Sequence, residues 1–167
     1  MTKTRHDSEI LAQGQQVITA CAFIHHSFDH TEKVFLPKRA ANKKFLPGIF
    51  ELPGGHIDFG EDMVSGLKRE ILEEFGMKVR VGDPFHIFTY MNDVKRSHSI
   101  EALYFATFID PLEKIKLDSE DHSEYGWFGE FELENVTNDV KRKYDPEIKA
   151  IIKGFSLLKG AGLNLGY

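Results

Sequence analysis

The chain is short of cysteine, of long apolar runs and of concentrated positive charge. Cys21 is its only cysteine. One thiol cannot close an intramolecular disulfide or supply a multi-cysteine metal site. Its place in "VITACAFI" marks it as a small buried residue. No apolar run approaches the roughly 20 residues of a membrane-spanning helix. Residues 1–10 are polar and charged, unlike a signal peptide. The expected compartment is therefore the cytoplasm, with no membrane partner. With 21 Lys and Arg against 26 Asp and Glu, the formal charge is −5. Tracking a nucleic-acid backbone calls for a basic patch or stripe. Only short clusters occur, "PKRAANKK" (37–44) and "KRK" (141–143). They suit a small anion, or plain solvated charge, and no nucleic-acid polymer is expected.

What is present is a globular composition. Apolar residues make up 41% of 167, with 14 Phe, enough to bury a core in one domain. No repeat, linker or second domain is visible. Residues 1–14 read as a tail, 15–160 as the domain and 161–167 as a second tail. A homodimer is left open.

Residues 15–26 are β-branched and mostly apolar, a buried strand, and 33–39 form its hairpin partner across a loose loop. Residues 40–48 are a loop, and 49–53 a short strand running into Gly54 and Gly55. Residues 78–91 give two short strands around a turn at 82–84. The alternation in 99–109 makes a further strand, followed by a charged loop and a short strand at 125–129. "FELENV" opens a helical turn. A final helix spans 145–160, with Pro146 in its first turn and Ile148, Ile151, Ile152, Phe155 and Leu158 on one face. The expected fold is α/β: an α/β/α sandwich with a mixed β-sheet between helices.

The clearest helix is 62–75, capped by Asp62 and stopped by Gly76. It crowds Glu70, Glu73 and Glu74 into one stripe. At 100° per residue, Glu73 lies at about −60° and Glu74 at about +40° from Glu70. Val64, Leu67, Ile71 and Phe75 fall between about +60° and +140°, so the acids border the buried face. Like charges so placed destabilise a helix. A divalent cation such as Mg²⁺, which takes oxygen ligands, resolves the conflict. A solvated acidic face with an Arg69–Glu73 pair is the other reading of the same stripe.

The surrounding spacing decides between them. From Gly55 the chain runs five residues to Glu61, seven to Arg69-Glu70, then Ile71, Glu73-Glu74, Gly76 and Met77. Seven fixed identities at fixed spacing arise by chance about once in 10⁹ positions, at about 1 in 20 each. This stretch resembles the signature of the Nudix (MutT-like) hydrolases at every defining position. Together with "PGIFELPGG", the resemblance extends over residues 15–158. It implies an α/β/α sandwich that uses Mg²⁺ or Mn²⁺ to hydrolyse a nucleoside diphosphate linked to another group. Carried over, Glu70, Glu73, Glu74 and the Gly54 carbonyl would be metal ligands. Glu70 or a nearby carboxylate would also help orient or deprotonate the attacking water, Arg69 would position Glu73, Glu61 would support the site and Gly55 would permit the close turn.

The family often adds an acid from a loop before the late aromatic strand. Of Glu120, Asp121 and Glu124, the choice falls on Glu124. His122 is a candidate base or a plain loop histidine. Trp127, Phe88 and Tyr90 are candidates to stack a base, with core packing the alternative for Phe88. Arg39 and Lys44 are candidates to reach phosphates. Two departures bear on substrate. Asp58 stands where the family often has Glu. The window 92–95, "NDVK", lacks the Pro or Tyr of ADP-ribose and dinucleoside-polyphosphate hydrolases. A nucleoside triphosphate is thus favoured over ADP-ribose, a nucleotide sugar or a dinucleoside polyphosphate. From another class, the chain could be a non-catalytic nucleotide-sensing Nudix module, although such modules usually lose box carboxylates. A prenyl-diphosphate isomerase would want a cysteine in the site, and Cys21 lies in a core strand.

Overall fold

In the computed structural model, which describes residues 12–161, one mixed sheet lies between two principal helices. The strands are β1 (Gln16–Phe28), β2 (Thr31–Arg39), β3 (Gly54–His56), β4 (Val79–Asn92), β5 (Ser97–Phe108) and β6 (His122–Phe128). The helices are α1 (Met63–Phe75), a single turn α2 (Glu134–Thr137) and α3 (Pro146–Leu158). The sheet order is β4-β5-β1-β2-β6, with β3 also paired to β1. The β1–β5 pair is parallel and the others are antiparallel. The expected tails fall outside the described residues up to residue 11 and from residue 162.

Strand β1 is apolar on both faces because both are covered. Ala20, Ala22 and Ile24 pack with Leu67, Ile71 and Phe75 of α1. The alternate residues Cys21 and Phe23 pack with Ala150, Ile151 and Phe155 of α3. Each large apolar side chain buried this way contributes about 1.5–3 kcal/mol. Only part of the expected α3 face is buried: Ile152 is half exposed, and Gly154 and Ala150 take the sheet-facing places.

Three elements differ from the sequence reading. The β1–β2 connection is a tight two-residue turn, with Asp29 and His30 at φ 47° and 64°. Such left-handed pairs match the twist of a hairpin. Residues 82–84 do not break the chain into two strands. They form irregularities in one long edge strand, β4, where Pro84 is tolerated because an edge strand can spare an N–H. The strand expected at 49–53 lies instead at Gly54–His56, with only a Lys38–Phe50 bridge before it.

That shift matters for the site. Gly55 pairs with Ala20 and Gly54 with Cys21, while the Ala22 N–H donates to the Pro53 carbonyl at 2.8 Å. Gly54 has φ 149°, and a Cβ there would sit 2.2 Å from the Ala20 carbonyl oxygen. Only glycine lets this turn lie against β1. It delivers the chain to Asp62, whose carboxylate accepts from the Ser65 N–H at 3.0 Å and starts α1. Gly76, at φ 65°, ends the helix.

Candidate active site

Helix α1 carries Glu70, Glu73 and Glu74, and β3 runs against it. A Cβ on Gly55 would lie 2.6 Å from Oε2 of Glu70, so the strand can approach that carboxylate only at glycine. Arg69 braces the group. Its Nε and Nη2 donate to the two Glu61 oxygens at 2.9 and 3.0 Å, Nη1 donates to Glu70 at 2.7 Å, and Nη2 also donates to the His56 carbonyl at 3.0 Å. The pair with Glu73 is longer, 3.6 Å. Arg69 thus holds Glu61 and Glu70 more closely than Glu73. Glu61 in turn accepts from the Asp58 N–H at 3.0 Å. A Cβ at Gly66 would meet this same Glu61 carboxylate at 2.8 Å, a steric requirement the sequence reading did not single out.

Burial works against charge on two of these acids. It pushes the Glu70 carboxyl up despite the Arg69 hydrogen bond. It pushes Glu74 well up, reinforced by the carboxylates of Glu70, Asp121 and Glu51. Oε2 of Glu74 is buried without a hydrogen-bond partner among the described residues. Such an oxygen costs about 1–3 kcal/mol unless something satisfies it.

Behind Glu74 lies a second cluster. Arg39 Nη1 donates to Glu51 at 3.0 Å, and His122 Nε2 lies 3.2 Å from the same carboxylate. Against the burial that would raise it, Arg39 and then His122 draw Glu51 down to about 2. Arg39 Nε donates to the Phe45 carbonyl at 3.0 Å, and its Nη2 is buried without a partner among the described residues. His122 is therefore a buried member of this cluster, with its ring 5.1 Å from that of Phe75, and not an exposed loop histidine.

The remaining candidates separate. A register shift at Lys38/Arg39 pairs Arg39 with His122 but Lys38 with Glu124. Glu124 accepts from Lys38 at 2.8 Å, and that ammonium lies over Phe50, which packs on the α3 side. The structure does not bring Glu124 to the α1 carboxylates. Asp121, held by Lys43 at 2.5 Å, is the loop acid that bears on Glu74. Trp127 packs with Phe28, Phe35 and Phe108 in the α1-side core. Phe88 and Tyr90 line a cavity of about 460 Å³ with Phe45, Tyr144, the half-buried Glu51 and the buried Glu101 and Glu147. Sequence reasoning passed over these three acids. The available signal was a lone Glu inside an apolar stretch, as in "IFELP" and "SIEALYF".

Residues 17–149 match the family model described as NUDIX domain. The chain belongs to the Nudix family. Among curated Nudix relatives, it is 31% identical over 68 residues to the m7GpppN-mRNA hydrolase NUDT17 of Xenopus laevis, covering 41% of this chain and 22% of that protein. It is 30% identical over 95 residues to an 8-oxo-dGTP diphosphatase of Buchnera aphidicola, covering 57% of this chain and 66% of that one. The chain therefore matches about a fifth of the first relative's length and just under two thirds of the second's. A solved Ap4A hydrolase from C. elegans shares the fold, with TM-score 0.69 at 18% identity over 86% of this chain and 98% of that one.

Nudix hydrolases generally need a divalent metal ion. The donors here fit one. They are hard oxygen ligands, one carboxylate oxygen is buried and unsatisfied, and burial disfavours charge on Glu70 and Glu74 until a cation arrives. Among the described residues, no three His, Cys, Asp or Glu are grouped closely enough to hold a metal ion as they stand.

Proposed function

We propose that this Nudix domain hydrolyses the pyrophosphate bond of a nucleoside triphosphate with Mg²⁺, or Mn²⁺ in its place, releasing a monophosphate and pyrophosphate. The observation that carries the reading is the set of braced α1 carboxylates, together with an aromatic cavity that Glu51 connects to them. Glu51 lines that cavity and bears electrostatically on Glu74, so it links the two. The 8-oxo-dGTP diphosphatase relative supports a triphosphate.

Glu70, Glu73, Glu74 and the Gly54 carbonyl would hold the cation. A bound cation would supply neutralisation of phosphate charge and acidification of a water. Glu70, kept in place by Arg69, orients the attacking water and accepts its proton. The water oxygen bonds to phosphorus, the bridging P–O bond breaks, and the bridging oxygen leaves with the departing phosphate. Arg39 offers to a phosphate oxygen its Nη2, which has no partner among the described residues. Phe88 and Tyr90 hold the base.

A cap-like or other linked nucleoside diphosphate is the second reading, favoured by the NUDT17 relative, whose name describes an mRNA cap hydrolase. Chromatography of products from a panel of nucleoside triphosphates, ADP-ribose, nucleotide sugars, dinucleoside polyphosphates and cap analogue with Mg²⁺ separates the two. Monophosphate plus pyrophosphate as the fastest products supports the first. Faster cleavage of a linked nucleotide supports the second. Tight nucleotide binding without turnover at any divalent metal contradicts both.

A further inference from the structure

The three glutamates lining the cavity are not equivalent. Glu51 is matched by Arg39. Glu147 is matched by Arg142 and accepts from the Leu52 N–H at 2.8 Å. Glu101 has neutral partners: the Thr19 hydroxyl donates at 3.3 Å, and the Cys21 thiol is hydrogen-bonded to it. Its side chain is 6% exposed, yet it reaches the cavity lining. Across the sheet it stands between Thr19 of β1 and Phe88 of β4. Beside it, the Phe45 ring stacks on Tyr90 at 6.0 Å with 15° between planes. The result is a slot with an aromatic wall and a carboxyl group in its floor.

We propose that Glu101 is a specificity-determining residue of this slot, pairing side by side with a nucleobase edge that carries an N–H donor next to an acceptor. The inference rests on the nucleotide reading above and adds the residue that reads the base.

A neutral carboxyl group presents one donor and one acceptor together, whereas a carboxylate presents acceptors alone. Burial first, and then the Glu147 carboxylate, push the Glu101 carboxyl up to about 8, so the neutral form is the one present at pH 7. The titratable groups that face it are Glu147 from α3, Glu51 from the segment before β3, Cys21 from β1 and Tyr90 from β4. Lys141, Lys143, Tyr144 and Asp145, from the segment before α3, line the same cavity, and Arg142 pairs with Glu147. A buried acid matched by a base edge discriminates strongly, because the wrong edge leaves it unpaired.

The test is KM and kcat for the best nucleoside triphosphate from pH 6.5 to 9.5, in wild type, Glu101→Leu and Glu101→Gln. Glu101→Leu raises KM about tenfold or more at pH 7, well beyond any fall in kcat. Glu101→Gln, with an amide N–H and C=O in the same places, restores affinity. Wild-type KM climbs above pH 8, and the climb is absent in Glu101→Gln. Unchanged KM in Glu101→Leu overturns the assignment, as does a KM profile shared by wild type and Glu101→Gln. Should Glu101→Leu fail to fold, the Glu101→Gln profile decides. A wild type inactive on every nucleotide overturns the nucleotide reading together with this inference, whereas an active wild type with unaltered variants overturns the Glu101 role alone.

Discussion

The Arg69 guanidinium grips the Glu61 carboxylate with two hydrogen bonds, at 2.9 and 3.0 Å, across eight residues of sequence. The same group holds Glu70 and the His56 carbonyl. One side chain therefore ties the segment before α1, the helix and β3 into a single frame. Lysine cannot reproduce this, because its ammonium is a point charge without a planar fork. Arg69→Lys is expected to keep the fold and to lower kcat about 10–100-fold, the usual effect of losing a partner that orients metal ligands. Steady-state kinetics with a circular dichroism melt checks both halves.

Gly55→Ala places a methyl group against Glu70, where the Cβ would lie 2.6 Å from Oε2. The strand is pinned to β1, so the carboxylate must move. We expect a stability loss of about 1–3 kcal/mol, typical of overpacking, with a disproportionate loss of turnover. Chemical denaturation and kinetics on the same preparation separate the two effects.

Arg142 is fully buried, and it pairs with Glu147 and Asp145 and donates to the Phe50 carbonyl. It joins the start of α3 to the segment leading into β3. Arg142→Met leaves Glu147 buried without its cation and is expected to cost about 3–5 kcal/mol. Arg142→Met combined with Glu147→Leu should recover much of that loss. Thermal melts of the single and double variants test this.

Glu51 and Glu101 give opposite pH dependences. Glu51 is drawn down to about 2, so it contributes stability above pH 4.5 that disappears as pH falls from there through 2. Glu101 is pushed up to about 8, so it binds its proton in the folded state where the unfolded chain has released it. Its cost therefore grows as pH rises from 4.5 through 8. Glu51→Gln should flatten the acid limb of a stability–pH curve, and Glu101→Gln the limb between pH 5 and 8. Urea unfolding across pH reads both.

The helix carrying the signature was legible because its ends and its face are local properties. Asp62 and Gly76 cap it as their chemistry requires, and its acids meet through helical geometry alone. The sandwich followed from β1, whose two apolar faces demand two covering layers. Glu124 shows where such reasoning stops. Residues two apart on a strand ordinarily share a face, but the extra residue opposite Lys38/Arg39 sends His122 toward Phe75 and Glu124 toward Lys38. Nothing in "DHSEY" announces that bulge. Glu51, Glu101 and Arg142 were hidden for a different reason. Glu51 is matched by Arg39, 12 positions away, Arg142 is buried against Glu147 and a Phe50 carbonyl 92 positions away, and burial itself disfavours charge on Glu101.

The central claim is that Glu70, Glu73 and Glu74 form a cation site completed by substrate. Mn²⁺ binding followed by electron paramagnetic resonance addresses it without reference to turnover. Wild type, Glu73→Gln and Glu74→Gln would each be titrated with and without a non-hydrolysable nucleotide. The account predicts Mn²⁺ binding in wild type that tightens with nucleotide and weakens about tenfold or more in both variants, since each loses a charged oxygen donor. Equal Mn²⁺ affinity in all three proteins, with and without nucleotide, would contradict it.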